Sequence, residues 1–218
     1  MLKRAAAAFS SLILLSSAAL GAGPGYGGLY IGAQGGGTWV DDHEDYQPDS
    51  YYTFGRAVTQ PLSGSGATLG FFGGYDAEVT DMFVLGIAGD VNWDNTAINA
   101  AELPDYKPWV KMNWDASMKA KFGAVVDDTL LYATLGYGWA NFSWNNRYFD
   151  TDDGTDSPVS GGVQVGLGVE KHLLPNLLGK VEATWTNYGS YDVHYEDETY
   201  WRGQPTALAV KAGVAVQF

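Results

Sequence analysis

Three groups of residues have the types and spacing that could support chemistry. Ser190, His194 and Glu196 could supply a nucleophile, a base and an orienting acid for acyl transfer at a lipid surface. They lie in a polar, Tyr-rich stretch, however, and a solvated loop accounts for them more simply. Asp150, Asp152, Asp153, Gly154 and Asp156 suggest calcium, but Gly154 follows Asp152 too closely for a D-x-D-x-D-G loop. An acidic solvated loop is again the simpler reading. His43 and His172 have no such partners nearby, and the chain contains 0 Cys, which removes thiolate nucleophiles, thiolate metal sites and disulfides. No catalytic residue, metal or cofactor is expected, and the chain does not read as an enzyme. The third group is different: Asp76, Asp90, Asp115, Glu170 and Glu182, with Lys119, Lys121, Lys180 and Lys211, each stand one step away from apolar neighbours.

That spacing is the period of a β-strand, in which successive side chains point to opposite faces. The last stretch, Thr206 to Phe218, sets the pattern: Leu208, Val210, Ala212, Val214, Val216 and Phe218 alternate with Ala209, Lys211, Gly213, Ala215 and Gln217. The same alternation predicts strands over Gly28 to Val40, Gly66 to Ala77, Phe83 to Trp93 and Met112 to Phe122. It continues over Leu131 to Trp139, Val163 to Glu170 and Gly179 to Thr186. In the fourth of these, counting from the N-terminus, Met112, Trp114, Ala116, Met118, Ala120 and Phe122 form the apolar face. A strand at the C-terminus leaves one hydrogen-bonding edge open unless the first strand takes it, and that pairing closes the sheet into a barrel.

The predicted fold is therefore all-β, an eight-stranded antiparallel up-and-down barrel. A barrel of about eight strands has an interior only wide enough for side chains to fill it. The small and charged face fits inside, whereas the bulky apolar face does not. That face must point outward, and lipid is the medium that tolerates it. The connections support a membrane barrel: short turns at Val79 to Met82, Val125 to Asp128 and Leu174 to Asn176 alternate with longer segments. The long loops are expected at Asp41 to Leu62, up to Pro108, Ser143 to Pro158 and Asn187 to Gln204. Trp39, Trp93, Trp139 and Trp185 fall on the lipid face near the outer strand ends, where an aromatic girdle belongs. From Phe83 to Trp93 the strand rises roughly 25 Å at about 3.3 Å per residue and a tilt of about 40°.

Export and composition agree with this. Lys3 and Arg4 precede an apolar run from Ala5 to Ala19 and the small residues Gly21, Ala22 and Gly23, so residues 1–22 read as a signal peptide and 23–218 as the barrel domain. The formal net charge of −13 argues against nucleic acid as a partner. Charges of both signs enclosed in a barrel must pair. The expected arrangement is a salt-bridged plug with Lys119 and Lys211 near Glu182 and Lys121 near Glu170; a hydrated ion pathway through the same residues remains the alternative. Tyr46, Tyr51, Tyr52, Phe54, Tyr148, Phe149, Tyr191, Tyr195, Tyr200 and Trp201 enrich the loops in aromatics. Such loops can pack on one another or bind a host surface ligand.

Several segments together resemble the small eight-stranded outer-membrane β-barrels of Gram-negative bacteria, akin to the OmpA-like transmembrane domain and the opacity-type surface antigens. They are G-G-L-Y-I-G-A-Q-G-G-G at Gly27 to Gly37, M-K-A-K-F-G from Met118 with L-L-Y-A-T-L-G-Y-G-W ending at Trp139, and G-V-Q-V-G-L-G-V-E at Gly162 to Glu170. K-V-E-A-T-W at Lys180 to Trp185 and the terminal Phe218 complete the set. The resemblance implies an outer-membrane location, lipid and lipopolysaccharide as surroundings, and a monomer. It also implies that Phe218 is the signal read by the barrel-assembly machinery and that Lys119 and Lys121 are the lumen-facing basic pair. Two departures stand out. Val216 occupies the place where the family usually has Tyr, and no peptidoglycan-binding segment follows Phe218, so wall tethering is not expected. The function implied is a structural and surface protein supporting envelope integrity; a narrow channel, a host-surface adhesin and a lipid-modifying enzyme are the alternatives.

Overall fold

The computed structural model describes residues 25–47, 59–99, 109–145, 159–189, 191–194 and 200–218. The expected signal peptide lies outside the described residues, as do Asp150 to Asp156, Ser190 and Glu196 and the aromatics Tyr51, Tyr52, Phe54, Tyr148, Phe149 and Tyr195. Of His43, Tyr46, Tyr191, His194, Tyr200 and Trp201, the backbone alone is described.

Alternating sequence becomes strand throughout: β1 (Gly28–Gln47), β2 (Thr59–Glu78), β3 (Phe83–Asp94), β4 (Ala97–Asn99), β5 (Trp109–Val126) and β6 (Thr129–Asn145) are followed by β7 (Val159–Leu174), β8 (Leu177–Asn187), β9 (Tyr191–His194), β10 (Tyr200–Gly203) and β11 (Thr206–Gln217). The eight long strands pair in the order β1, β2, β3, β5, β6, β7, β8 and β11, and β11 returns to β1. Every pairing is antiparallel, and the closing register runs from Tyr30↔Gln217 to Asp41↔Thr206. Phe218 N–H donates to Leu29 O at 2.8 Å, which finishes the seam. The result is a closed eight-stranded antiparallel barrel.

The burial pattern is inverted relative to a water-soluble fold. Ile31, Leu69, Ile87, Met118 and Leu167 are 60–70% exposed, while Asp76, Lys121, Glu170 and Lys211 are buried. Scattered apolar residues on a surface would mean little, but a continuous apolar band around a charged interior requires lipid.

Three tight connections lie at one rim. At Val79 to Met82 the Thr80 hydroxyl accepts from Phe83 N–H at 3.0 Å, and Val79 N–H donates to Phe83 O at 2.8 Å. Asp127 and Asp128 have φ of 47° and 59°, the left-handed pair that a two-residue hairpin needs and that Asp tolerates. Pro175 and Asn176 make the third turn.

At the other rim the strands run further than their apolar pattern predicted. The stretch Asp41 to Leu62, expected as loop, continues β1 to Gln47 and starts β2 at Thr59, with Asp45 opposite Thr59. The segment Asn187 to Gln204 contains the hairpin β9–β10, and β10 pairs with the end of β1 through Glu44↔Gly203 and Gln47↔Tyr200. β4 bridges β2 and β5 in the same way, through Gly64↔Ile98 and Ile98↔Val110. The sequence of these extensions does not alternate apolar with polar residues, so the two-residue period that marks a half-buried strand is missing there.

A further correction concerns β5. Its register slips between Met112 and Trp114, which makes Asn113 the extra residue of a bulge. Strict alternation placed Met112 with Trp114 toward lipid, but the bulge turns it inward, where it is 1% exposed.

Candidate functional site: the lumen and its two closures

The lumen is built from the inward positions of all eight long strands, and small residues make room for its large ones. A Cβ on Gly168 would collide with the Tyr132 ring, and one on Gly74 with the Tyr30 hydroxyl, so each glycine is the space an aromatic neighbour occupies. Within this frame the charges form tiers. In the lower one, Lys121 Nζ lies 2.7 Å from Asp76 Oδ2 and 2.6 Å from Glu170 Oε2. Its ammonium also lies 4.5 Å from the centre of the Tyr132 ring, close enough for a cation–π contact.

In the middle tier Lys119 Nζ bridges Asp90 Oδ2 at 3.0 Å and Glu182 Oε1 at 2.8 Å. Lys180 takes the other oxygen of Glu182 at 3.1 Å and lies 3.7 Å from the Phe72 ring centre. In the upper tier Lys211 Nζ reaches Asp90 Oδ1 at 3.4 Å and Asp115 Oδ1 at 3.3 Å.

The structure therefore brings Lys119 to Glu182 and Lys121 to Glu170. Lys211 is opposite Glu182 in the strand register, yet its ammonium pairs elsewhere, with Asp90 and Asp115. Lys180, two residues from Glu182 on the same face, fills that place instead.

Neutral groups complete the network. Asn92 donates to Asp90 Oδ1 at 2.7 Å and to Asp115 Oδ1 at 2.9 Å, Gln34 donates to Asn92 at 2.7 Å, and Ser117 donates to Asp90 Oδ2 at 2.7 Å. Asp94, absent from the charges singled out by sequence, is buried and accepts from the Thr38 hydroxyl at 2.8 Å and from both Thr96 N–H and its hydroxyl. Its parity matches Asp90 and Asn92, so extending the alternation of β3 by one residue finds it.

Above these tiers Val40, Met112, Ala140, Phe142, Tyr188 and Ala207 pack into an apolar lid, with Phe142 and Tyr188 edge to face at 5.5 Å. Below them Tyr30, Phe72, Val84, Leu130, Tyr132, Leu178 and Ala215 close the base around Tyr26. Tyr26 comes from the arm that precedes β1, and the strand pattern gave no sign of it. Its hydroxyl donates to Asp128 O at 2.8 Å and Glu170 O at 3.1 Å, and its N–H donates to Glu78 Oε1 at 2.6 Å. Burial pushes its phenol above the ordinary pKa, so the hydroxyl stays a donor. Gln217 Nε2 donates to Gly25 O at 3.2 Å and Gly27 O at 2.9 Å, which ties the arm to the last strand. His172 packs against Tyr26 with ring centres 4.8 Å apart and the rings inclined at 51°, and it bonds Gln217 Oε1 at 2.8 Å.

On the outer face Trp39, Trp93, Trp139 and Trp185 are 40–59% exposed, all outward, and Phe218 lies beside the seam. No group of three or more His, Asp or Glu able to cage a metal occurs among the described residues.

Comparison with known proteins gives this geometry its context. The chain is 26% identical over 192 residues to the 22 kDa outer membrane protein of Rhizobium leguminosarum bv. viciae, covering 88% of this chain and 77% of that one. It is 24% identical over 196 residues to the 25 kDa outer-membrane immunogenic protein of Brucella abortus biovar 1, covering 89% and 78%. Among solved structures, the outer membrane protein OprG of Pseudomonas aeruginosa shares the fold with a TM-score of 0.60 at 17% identity, covering 90% of this chain and 100% of that one. The profile of the outer membrane protein beta-barrel domain matches residues 6–218, and the chain belongs to that family of Gram-negative outer-membrane barrels.

Proposed function

We propose that this outer-membrane barrel is a closed structural element of the envelope that carries acidic, Tyr-rich loops on the cell surface. The observation that supports the reading is the filling of the lumen: ion-paired tiers lie between an apolar lid and an aromatic base, and the spaces left among them are cavities of about 10 Å³. A space of that size holds about one water molecule, too little for a continuous aqueous path through these tiers of the described residues. Lipid and lipopolysaccharide surround the barrel, the assembly machinery reads Phe218, and the protein acts as a monomer. Residues 1–22 serve as the export signal.

Single-channel recording on the refolded protein in planar bilayers tests the closed reading. The expected record is a flat baseline; long-lived openings of porin size would replace the plug by a pore. Envelope leakiness of a deletion strain tests the integrity role, with increased uptake of a dye that the intact outer membrane excludes as the expected result. The name of the Brucella relatives, an immunogenic protein, favours loop exposure to a host. Binding of host cells by loop-deleted protein at the level of the intact one would remove an adhesive role.

A further inference from the structure

The apolar band around the barrel is not smooth. Near the short turns the strand register sets Phe83, Ala124 and Leu131 side by side, and two residues further from the turns it sets Leu85, Phe122, Ala133 and Leu167. The first row dips at Ala124 on β5 and the second at Ala133 on β6. The gap therefore steps sideways by one strand, between the side chains of Phe122 and Leu131. These residues line an open groove of about 650 Å³ that starts at Val79 in the turn before β3. Its volume falls within the about 300–1,000 Å³ usual for ligand clefts.

Short turns mark the periplasmic rim of such barrels, and the leaflet on that side is phospholipid, whereas lipopolysaccharide fills the other. Apolar surface alone selects nothing in a bilayer, because lipid tails are as apolar as the groove. Shape and headgroup charge are what can select, and charges stand at the mouth of this groove. Thr129, two residues before Leu131, pairs in register with Lys171 on β7. Asp127 and Asp128 form the turn next to Thr129, and Asp81 lies in the turn before Phe83. Lys171, Asp81, Asp127 and Asp128 are exposed, and among the described residues none of them is ion-paired.

We propose that the groove seats one acyl chain of a phosphatidylethanolamine molecule from the periplasmic leaflet, with the lipid phosphate at Lys171 and its primary ammonium at Asp127 and Asp128. A cation beside acids complements a headgroup that carries both signs, and a primary ammonium donates charge-assisted hydrogen bonds to carboxylates. An anionic headgroup such as that of phosphatidylglycerol meets Lys171 equally well but brings no positive charge to the aspartates. The seat lies on the outer wall of the barrel, so it does not depend on whether the lumen is closed.

Native mass spectrometry of the refolded barrel, released from micelles doped with equal amounts of phosphatidylethanolamine and phosphatidylglycerol, counts the lipid that stays bound. The expected result is a single phosphatidylethanolamine adduct, about two- to fivefold more abundant than the phosphatidylglycerol one, the scale of one exposed ion pair. Asp127→Asn combined with Asp128→Asn keeps the left-handed turn, which Asn tolerates, and should abolish the preference. Lys171→Gln should lower both adducts. Ala133→Phe fills the groove and should lower the phosphatidylethanolamine adduct; Ala124→Leu blocks the other step and serves if the first variant does not fold. Ala212→Phe, at an exposed position of β11 on the far side of the barrel, should change nothing. The heat-driven band shift shows which variants have folded. Equal adducts of the two lipids, a preference that survives the paired aspartate change, or a loss in Ala212→Phe as large as in Ala133→Phe would overturn the seat and leave an ordinary shell of lipid. Planar-bilayer currents report on the lumen alone, so failure of the closed reading and failure of the seat are separable.

Discussion

Lys121 is almost wholly enclosed between Asp76 and Glu170, and its substitution separates the worth of a buried ion pair from the harm of breaking one. Lys121→Met leaves two carboxylates beside apolar side chains, and breaking such a pair costs about 3–5 kcal/mol. Urea titration of the refolded barrel should show a loss of that size. Adding Asp76→Asn and Glu170→Gln to the same protein should restore most of it, because the penalty comes from unpaired charge and not from a missing lysine. If the triple variant stays as unstable as the single one, packing of the lysine stem against Tyr132 is the larger contribution. At this scale the sequence was informative about which charges are enclosed and less so about who meets whom. Facing and parity place Lys211 opposite Glu182, but a long flexible stem selects among all acids within reach. The upper tier offers Lys211 two carboxylates, while Lys180 is already beside Glu182.

Between strands, the unexpected device is the arm that carries Tyr26. One side chain is bonded to the turn at Asp128 and to Glu170, its N–H is held by Glu78, and Gln217 grips the carbonyls on either side of it. The arm thus joins the last strand to the end of β2, to β7 and to the turn at Asp128. Tyr26→Ala removes the ring and both hydroxyl bonds, and large-to-small changes of a buried aromatic cost about 3–5 kcal/mol. The expected result is a lower unfolding midpoint together with brief current openings in planar bilayers, since the base loses its stopper while the lid remains. An unchanged midpoint would mean that the arm is a passive tail. Nothing in the alternating pattern marks Tyr26, because it precedes the first strand and its role depends on contacts more than a hundred residues away in the chain. The bulge at Asn113 was hidden for a related reason: one extra residue changes every side chain beyond it to the opposite face, and the sequence around it still alternates. The eight spanning strands were legible because lipid on one side and a packed lumen on the other impose a strict period of two. The sequence of their extensions carries no such period.

The molecule as a whole is an apolar cylinder with a charged axis, and its outward aromatics are the groups expected to set its depth in the bilayer. Trp39, Trp139 and Trp185 lie on strands whose pairings bring them into one zone, through Trp39↔Leu208, Leu208↔Trp185 and Val165↔Trp185, and through Trp139↔Gly161 on the neighbouring β7. Trp93 stands opposite Trp114 on β5, whose Ala116, two residues on, faces Trp139. Indole rings favour the headgroup level because the ring is apolar and its N–H needs a polar partner. Variants that keep one of the four tryptophans, with Phe at the other tryptophan positions, can be refolded into vesicles whose lipids carry bromine at known depths. Each of the four should be quenched most by bromine near the headgroup and least by bromine at the chain ends, and all four to a similar degree. Maximal quenching by chain-end bromine would place the ring at the bilayer centre and shift the whole barrel by roughly half the apolar thickness. Lys121, Lys119 and Lys211 would then no longer be centred in the membrane, and the need to enclose and pair them so thoroughly would lose its physical cause.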